Sequence, residues 1–147
     1  MDVRLATIKD APDVFLLLAE MHMNVAEDLA LPVFSGPKVA RKIDDCLRDG
    51  AILLSISEER IVGILGLLRG SFWYSDAQFV GDAFFYVTPS ARTSTAARDL
   101  LKAAKLLEKE NLPVLLATVT GKDVDRKDFL YERLGYKKIG SVFAVGI

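Results

Sequence analysis

The chain opens on an alternation. Val3, Leu5 and Thr7 stand against Arg4 and Ala6, the period-two signature of a short strand. At Asp10 the period changes: Asp13 three residues on and Pro12 in the first turn mark a helix start. Val14, Phe15, Leu17, Leu18, Met21 and Val25 then follow along one helical stripe. Leu31-Pro32-Val33-Phe34-Ser35-Gly36-Pro37 breaks that pattern. Lys38 to Leu47 predicts a second helix, with Val39, Ile43 and Leu47 on one face and a stop near Gly50. Ala51 to Ser57 and Arg60 to Leu68 are apolar runs parted by Glu58-Glu59, a hairpin. Gly70 to Gly81 reads as a longer connection with Phe72, Trp73 and Tyr74 near its start, and Ala83 to Val87 as the next strand. A helix from Thr93 to Glu110 places Ala97, Leu100, Leu101, Ala104 and Leu107 inward. Pro113 opens a buried strand, Val114 to Val119, and Asp125 with Asp128 starts a helix to Leu134, closed by Gly135. The tail, Tyr136 to Ile147, alternates enough for one or two more strands.

Read together, the elements run β-α-α-β-β-β-α-β-α-β, an α/β chain with an α+β mixed sheet. Its 147 residues suit one domain spanning 1–147. The longest apolar run, Ile61 to Leu68, is broken by Gly63 and Gly66 and has the length of a strand, not of a membrane span. The start, Met1-Asp2-Val3-Arg4, lacks the plan of a signal peptide. One cysteine, Cys46, excludes an intrachain disulfide framework and suits the cytoplasm. With one histidine beside it, no His/Cys metal site is expected. A net charge of −1 gives no general pull toward nucleic acid or anionic membrane.

The densest chemistry lies between Phe84 and Leu101. A buried strand stops at Pro89, passes Arg92 and the hydroxyls of Thr93, Ser94 and Thr95, and enters an amphipathic helix through Ala96 and Ala97. A helix N-terminus carries unpaired N–H donors and a positive dipole end, so such a turn suits an anionic group. Thr93 or Ser94 serving as an ordinary helix cap fits the same letters. Without G-x-x-x-x-G-K-[ST] or G-x-G-x-x-G, an unrelated nucleotide-phosphate fold is the more distant reading.

This segment resembles the acyl-CoA signature of the GNAT N-acetyltransferase superfamily, a strand ending V-x-P followed by Q/R-x-x-G-x-G/A. Val87, Pro89, Arg92 and Ala97 match it, and Thr95 stands where the family usually has glycine. Phe129-Leu130-Tyr131-Glu132-Arg133-Leu134-Gly135-Tyr136 resembles the family's helix-to-strand segment fYeklGF. The element order, over essentially the whole length, is that of the GNAT fold, a mixed sheet splayed between its middle strands with helices on both faces. The tail departs: eleven residues follow Tyr136, where members usually carry a clear hairpin.

The resemblance implies acetyl-CoA as co-substrate, no metal, and acetyl transfer to a primary amine of a small molecule or peptide by direct attack in a ternary complex. It assigns the pantetheine arm to the backbone of Phe85, Tyr86 and Val87. It assigns the pyrophosphate to Arg92, Thr93, Ser94, Thr95, Ala96 and Ala97, and a further CoA contact to Thr118. Thr95 either obstructs the pyrophosphate or bonds it through its hydroxyl. Tyr131 matches the proton donor to the CoA thiolate; its plain alternative is packing beside Phe129 or Leu130. The base is open among Asp82, which opens the fourth strand, and Glu20 and His22 on the first helix. Phe72, Trp73 and Tyr74 suit an acceptor wall, a dimer contact or a core lid, and Cys46 is inert. Thr95, the short tail and the missing clear base fit an alternative, a non-catalytic CoA-binding or structural module of the same fold. An edge strand at Ser141 to Ile147 would make the protein a homodimer.

Overall fold

Alternating strands with two-residue and longer turns build the sheet in chain order. The computed structural model describes residues 1–27, 29–107, 112–117 and 122–147. Strands β1 (Asp2–Leu5), β2 (Gly50–Ser57), β3 (Arg60–Ser71), β4 (Gln78–Val87) and β5 (Val114–Leu115) lie side by side in that order. The first four pair antiparallel, and β5 joins β4 parallel. The helices are α1 (Ala11–Ala26), α2 (Gly36–Asp49), α3 (Ala96–Lys105) and α4 (Val124–Arg133).

The expected hairpin at Glu58-Glu59 is present, with φ of 48° and 64° at the two residues. Both sit in the left-handed region that a tight turn between right-twisted strands demands. Two apolar cores cover the two faces of the sheet. Val14, Leu18, Ile43, Cys46, Ile52, Leu54, Ile64, Phe84 and Tyr86 pack beneath α1 and α2. Leu65, Leu67, Val80, Val87, Ala96, Leu100 and Ala104 pack beneath α3.

Four expectations shift. The β3–β4 ladder runs on to Ser71 and Gln78, through pairs such as Gly70 with Phe79, where half-exposed and glycine positions hide it from a hydrophobic count. Asp82 therefore lies inside β4 and does not open it. Helix α3 starts at Ala96 rather than Thr93, because a tight turn over Pro89–Ala91 and the Ser94 N–H bond to the Ala91 carbonyl, at 3.0 Å, use the preceding residues. The tail after Tyr136 forms no strand: its alternation of apolar residues meets no partner edge in the chain. The far ends of the third long helix and of the fifth strand, 108–110 and 118–119, lie outside the described residues.

One irregularity positions the site. Gly66 pairs with Phe84 and Leu67 pairs with Asp82, which leaves Ala83 as an extra residue in β4. Such a bulge bends its strand and increases the local twist. Ala83 and Phe84 both face the α1–α2 core, while Val80 before them and Phe85 and Val87 after them face α3. The Phe84 ring lies directly over Gly66, where any side chain would run into it.

Candidate active site

Beside the bulge, the described pairing of β4 with β5 ends. Among the described residues the pairs are Val80 with Val114 and Gly81 with Leu115. At the next position a side chain replaces the ladder: the Ala117 N–H donates to Oδ1 of Asp82 at 3.2 Å. Phe84 to Val87 continue to pair with β3, and among the described residues with no other strand. The Thr88 N–H donates to the Val62 carbonyl at 2.9 Å, on the β3 side. Backbone groups alternate along a strand, so Val87 and Phe85 present their N–H groups to the side away from β3. Tyr86, between them, turns its own toward Ile64 of β3. Of the three residues assigned to the pantetheine arm, two therefore have amides on that side.

Tyr86 instead works from its side chain. It is buried on the α1 face, and its hydroxyl accepts from Asn24 Nδ2 at 2.8 Å. Burial pushes the phenol pKa up, and the Glu20 carboxylate, one turn before Asn24 on α1, adds to this. The Arg92 guanidinium lies 5.8 Å from the Tyr86 ring centroid, and Arg92 Nε donates to the Val87 carbonyl at 3.2 Å. That places Arg92 at the end of β4.

Beside Phe85, α4 supplies Tyr131. Its ring lies 6.5 Å from that of Phe85 and 5.8 Å from that of Tyr136, centroid to centroid. The end of α4 is tied to α3, since the Tyr136 hydroxyl donates to the Leu101 carbonyl at 2.6 Å and Lys105 Nζ to the Leu134 carbonyl at 3.1 Å. Burial raises the pKa of the Tyr131 phenol, and the charges of Asp82, Tyr136 and Asp128 raise it further. Asp82 is half-buried, and burial raises its carboxyl against the bonds from the Ala117 and Asp82 N–H groups. Asp82, one of the three candidate bases, and Tyr131, the candidate proton donor, are thus electrostatically coupled.

The turn into α3 is more self-contained than its hydroxyls suggest. Ser94 Oγ donates to the Ala91 carbonyl at 2.6 Å and accepts from the Ala96 N–H at 3.2 Å. Thr95, the residue before the helix, donates its hydroxyl to Asp99 Oδ2 at 2.6 Å. In this arrangement the Thr95 hydroxyl proton is directed to Asp99 and away from the anion side of the turn. The N–H groups of Ala97 and Arg98 enter no backbone bond outside the helix and remain the donors of this end. Thr93 is exposed beside them, and Thr118 lies outside the described residues.

Sequence reasoning missed Lys127. This residue of α4 is half-buried, and burial lowers its pKa; Asp123 opposes that shift, while the like charges of Arg92 and Lys122 add to it. A second cation therefore stands within electrostatic reach of Arg92. A lysine in a short polar helix reads as solvated, so only the approach of α4 to the turn reveals it.

Other candidates fall elsewhere. A His22 ring nitrogen bonds the Pro32 carbonyl at 2.9 Å, and the ring packs on Phe34, so it fastens the loop after α1. Trp73 and Tyr74 are exposed at the β3–β4 tip, the end of β4 opposite the α3 turn. Cys46 is buried, and burial pushes its thiol up to about 11, as an inert cysteine requires. Among the described residues no helix is long and apolar enough to cross a membrane.

The sequence matches no family profile and no curated protein. The structure does have relatives. It is similar to an aminoglycoside 6'-N-acetyltransferase from Acinetobacter haemolyticus, at 15% identity and a TM-score of 0.70, over 100% of this chain and 98% of that one. It is similar to a predicted acetyltransferase with acetyl-CoA from Clostridium acetobutylicum, at 11% identity and 0.75, over 99% and 95%. A GNAT family acetyltransferase from Staphylococcus aureus matches at 18% identity and 0.61, over 99% and 98%. The mixed five-stranded sheet and its flanking helices are thus the fold of the GNAT acetyltransferases.

Proposed function

We propose that the chain is an N-acetyltransferase, passing the acetyl group of acetyl-CoA to a primary amine of a small molecule or peptide within a ternary complex. The observation that carries this reading is the side of β4 turned away from β3, where no described residue pairs beyond Gly81. There two backbone donors, Phe85 and Val87, face the Tyr131 side, which leads on to the free amides of α3. Acetyl-CoA supplies the activated thioester. The α3 amides, Arg92 and Lys127 hold its phosphates, and the Val87 N–H donates to the acyl oxygen.

Asp82 and Tyr131 divide the proton traffic. The amine gives a proton to Asp82 as its nitrogen bonds the acyl carbon, and the sulfur takes one from Tyr131 as the C–S bond breaks. The coupling between the two groups has a useful sign. The Asp82 charge holds the Tyr131 proton on, so neutralising Asp82 makes the phenol a better acid when the sulfur needs a proton. A proton passed from Asp82 to Tyr131 through water then restores both.

Calorimetry with CoA, together with turnover of acetyl-CoA against a panel of amines, tests the proposal. Micromolar binding with turnover of at least one amine supports it. Binding without turnover favours a CoA-binding module, the reading to which the carboxylate of Asp99 in the phosphate turn lends weight. Absence of binding removes both.

A further inference from the structure

The β3–β4 hairpin outruns its sheet. Strand β2 begins at Gly50, opposite Leu68, and the pairs of Arg69 with Val80, Gly70 with Phe79 and Ser71 with Gln78 lie beyond it. Three residues at about 3.3 Å apiece make an arm of roughly 10 Å before the turn. Its tip is fixed in shape. The Phe72 N–H donates to the Ala77 carbonyl at 3.2 Å, the Ser75 N–H to the Phe72 carbonyl at 3.1 Å and the Ala77 N–H to Ser75 Oγ at 3.1 Å. Ring centroids step outward from Phe79 to Phe72, Tyr74 and Trp73 at 5.0, 5.6 and 5.4 Å. Gly70 makes room for the first ring, since a side chain there would stand 2.9 Å from it. The ladder ends on Tyr74 and Trp73, which are 69 and 94% exposed. An aromatic pair held in water in one shape has little freedom left to lose on binding, as an anchor requires.

A seat of matching size lies on the same chain. Ala11, Pro12 and Phe15 of α1 and Ala40, Ile43 and Asp44 of α2 line an apolar depression of about 210 Å³. Roughly 150 Å³ of apolar cavity takes up a benzene ring, so the depression has room for an indole. Asp44 is its one charged lining residue, and a buried indole N–H needs an acceptor. Val80 faces α3, so Phe79 beside it turns the ladder to the α1–α2 side. Helix α2 ends at Asp49, directly before Gly50 at the foot of the arm, so seat and anchor share one face. Trp73 is too exposed to occupy the seat of its own chain.

We propose that the seat is filled between copies: the arm of one chain sets Trp73 into the α1–α2 depression of a second copy, which returns its own arm. Each chain has one anchor and one seat, so two copies use both and close on a twofold axis. Trp73 and Tyr74 offer roughly 150–200 Å² apiece and the surfaces that cover them as much again, so the exchange removes about 1,200 Å² from water, enough for a stable interface. A lipid surface is the poorer match, because the stretch from Phe72 to Phe79 carries Asp76 and no lysine or arginine. This inference does not depend on the catalytic reading.

Trp73 is the only tryptophan of the chain, so its fluorescence reports the contact directly. Emission spectra and sedimentation velocity on the full chain at increasing micromolar concentrations test the proposal, with phosphatidylcholine vesicles added at the lowest concentration. The expected result is a dimer whose emission moves to shorter wavelength in step with dimer fraction, and no shift on vesicles. Ala40→Arg blocks the seat and should weaken dimerisation by about 100-fold or more, with Trp73 emission staying at long wavelength. Trp73→Ala should weaken dimerisation by as much in sedimentation. Both positions are exposed, so the far-ultraviolet spectrum stays unchanged. Five results overturn the proposal: a monomer throughout, a dimer whose emission does not shift, growth beyond the dimer, a shift on vesicles, or either variant still dimerising as the wild type does.

Discussion

Thr95 gives its hydroxyl proton to Asp99 at 2.6 Å, and so ties a carboxylate into the turn that would receive a phosphate. The N-terminal ammonium, at 3.3 Å, and Arg98 share the same carboxylate. Burial pushes the Asp99 carboxyl up, but the bonds from Thr95, the ammonium and Arg98 outweigh it and keep the pKa below the usual range. Asp99 thus stabilises the α3 dipole while repelling an anion at the same place.

Asp99→Asn should separate those two effects. The helix loses about 0.3–1 kcal/mol of dipole stabilisation, and CoA binding tightens by roughly 2–5-fold on the same magnitude. Denaturation and calorimetry on one sample read both, and weaker CoA binding in the variant would make Asp99 a ligand.

Tyr131→Phe removes one oxygen and keeps the ring against Phe85. As a proton donor to sulfur, Tyr131 should take kcat down by roughly 10²-fold with it, leaving CoA affinity nearly unchanged. Wild-type turnover in the variant would reduce Tyr131 to a packing residue.

The acid limb of kcat should report Asp82. Burial raises its carboxyl, so the limb falls above the ordinary carboxylate value of about 4. Activity should be lost as pH drops through that raised value, when the base becomes protonated. Asp82→Asn should lower kcat and flatten the limb; a limb that persists unchanged assigns the base elsewhere.

Stability should respond to acid through a different pair. Arg4 Nη2 and Nη1 bond the two Asp10 oxygens at 2.8 and 2.9 Å, and the guanidinium holds that carboxyl at about 2. A carboxyl lowered from about 4 in the unfolded chain contributes fully above pH 4. The contribution disappears as pH falls from there through about 2. The Tm gap between the wild type and Asp10→Asn should therefore narrow over that window; a constant gap would mean the ion pair is not linked to folding.

The turn between β2 and β3 leaves stability unused. Glu58 and Glu59 both hold positive φ, at a cost of roughly 1–2 kcal/mol for each side chain that clashes there. Glu58→Asn with Glu59→Gly supplies the residues this turn prefers and should raise the unfolding free energy by about 1–2 kcal/mol. Urea unfolding with an unchanged m-value is the measurement, and a lower midpoint would contradict the argument.

Periodicity made the helices and the Glu58–Glu59 hairpin legible, because apolar stripes and turn positions are written locally. The V-x-P strand end was legible through resemblance. What stayed hidden depends on contacts between distant segments. Ser71 and Gln78 are polar, so only their pairing makes them strand. The bond from the Thr95 hydroxyl to Asp99 is set by the first turn of α3 and does not show in the letters. Lys127 gains its place from the docking of α4 beside Arg92, and the tail lost its strand because strand letters need an edge to join.

Removing Ala83 would leave every neighbour on its present face. Asp82 would still point toward α3, Phe84 toward α1, and Phe85 toward α3, since the bulge inserts one residue between two stretches that already agree. A chain one residue shorter would therefore keep its core and regain a straight fourth strand. Packing does not require the extra residue, and the bend does. The capacity to bend the sheet is thus encoded separately from the capacity to fold, in the surplus of a single position.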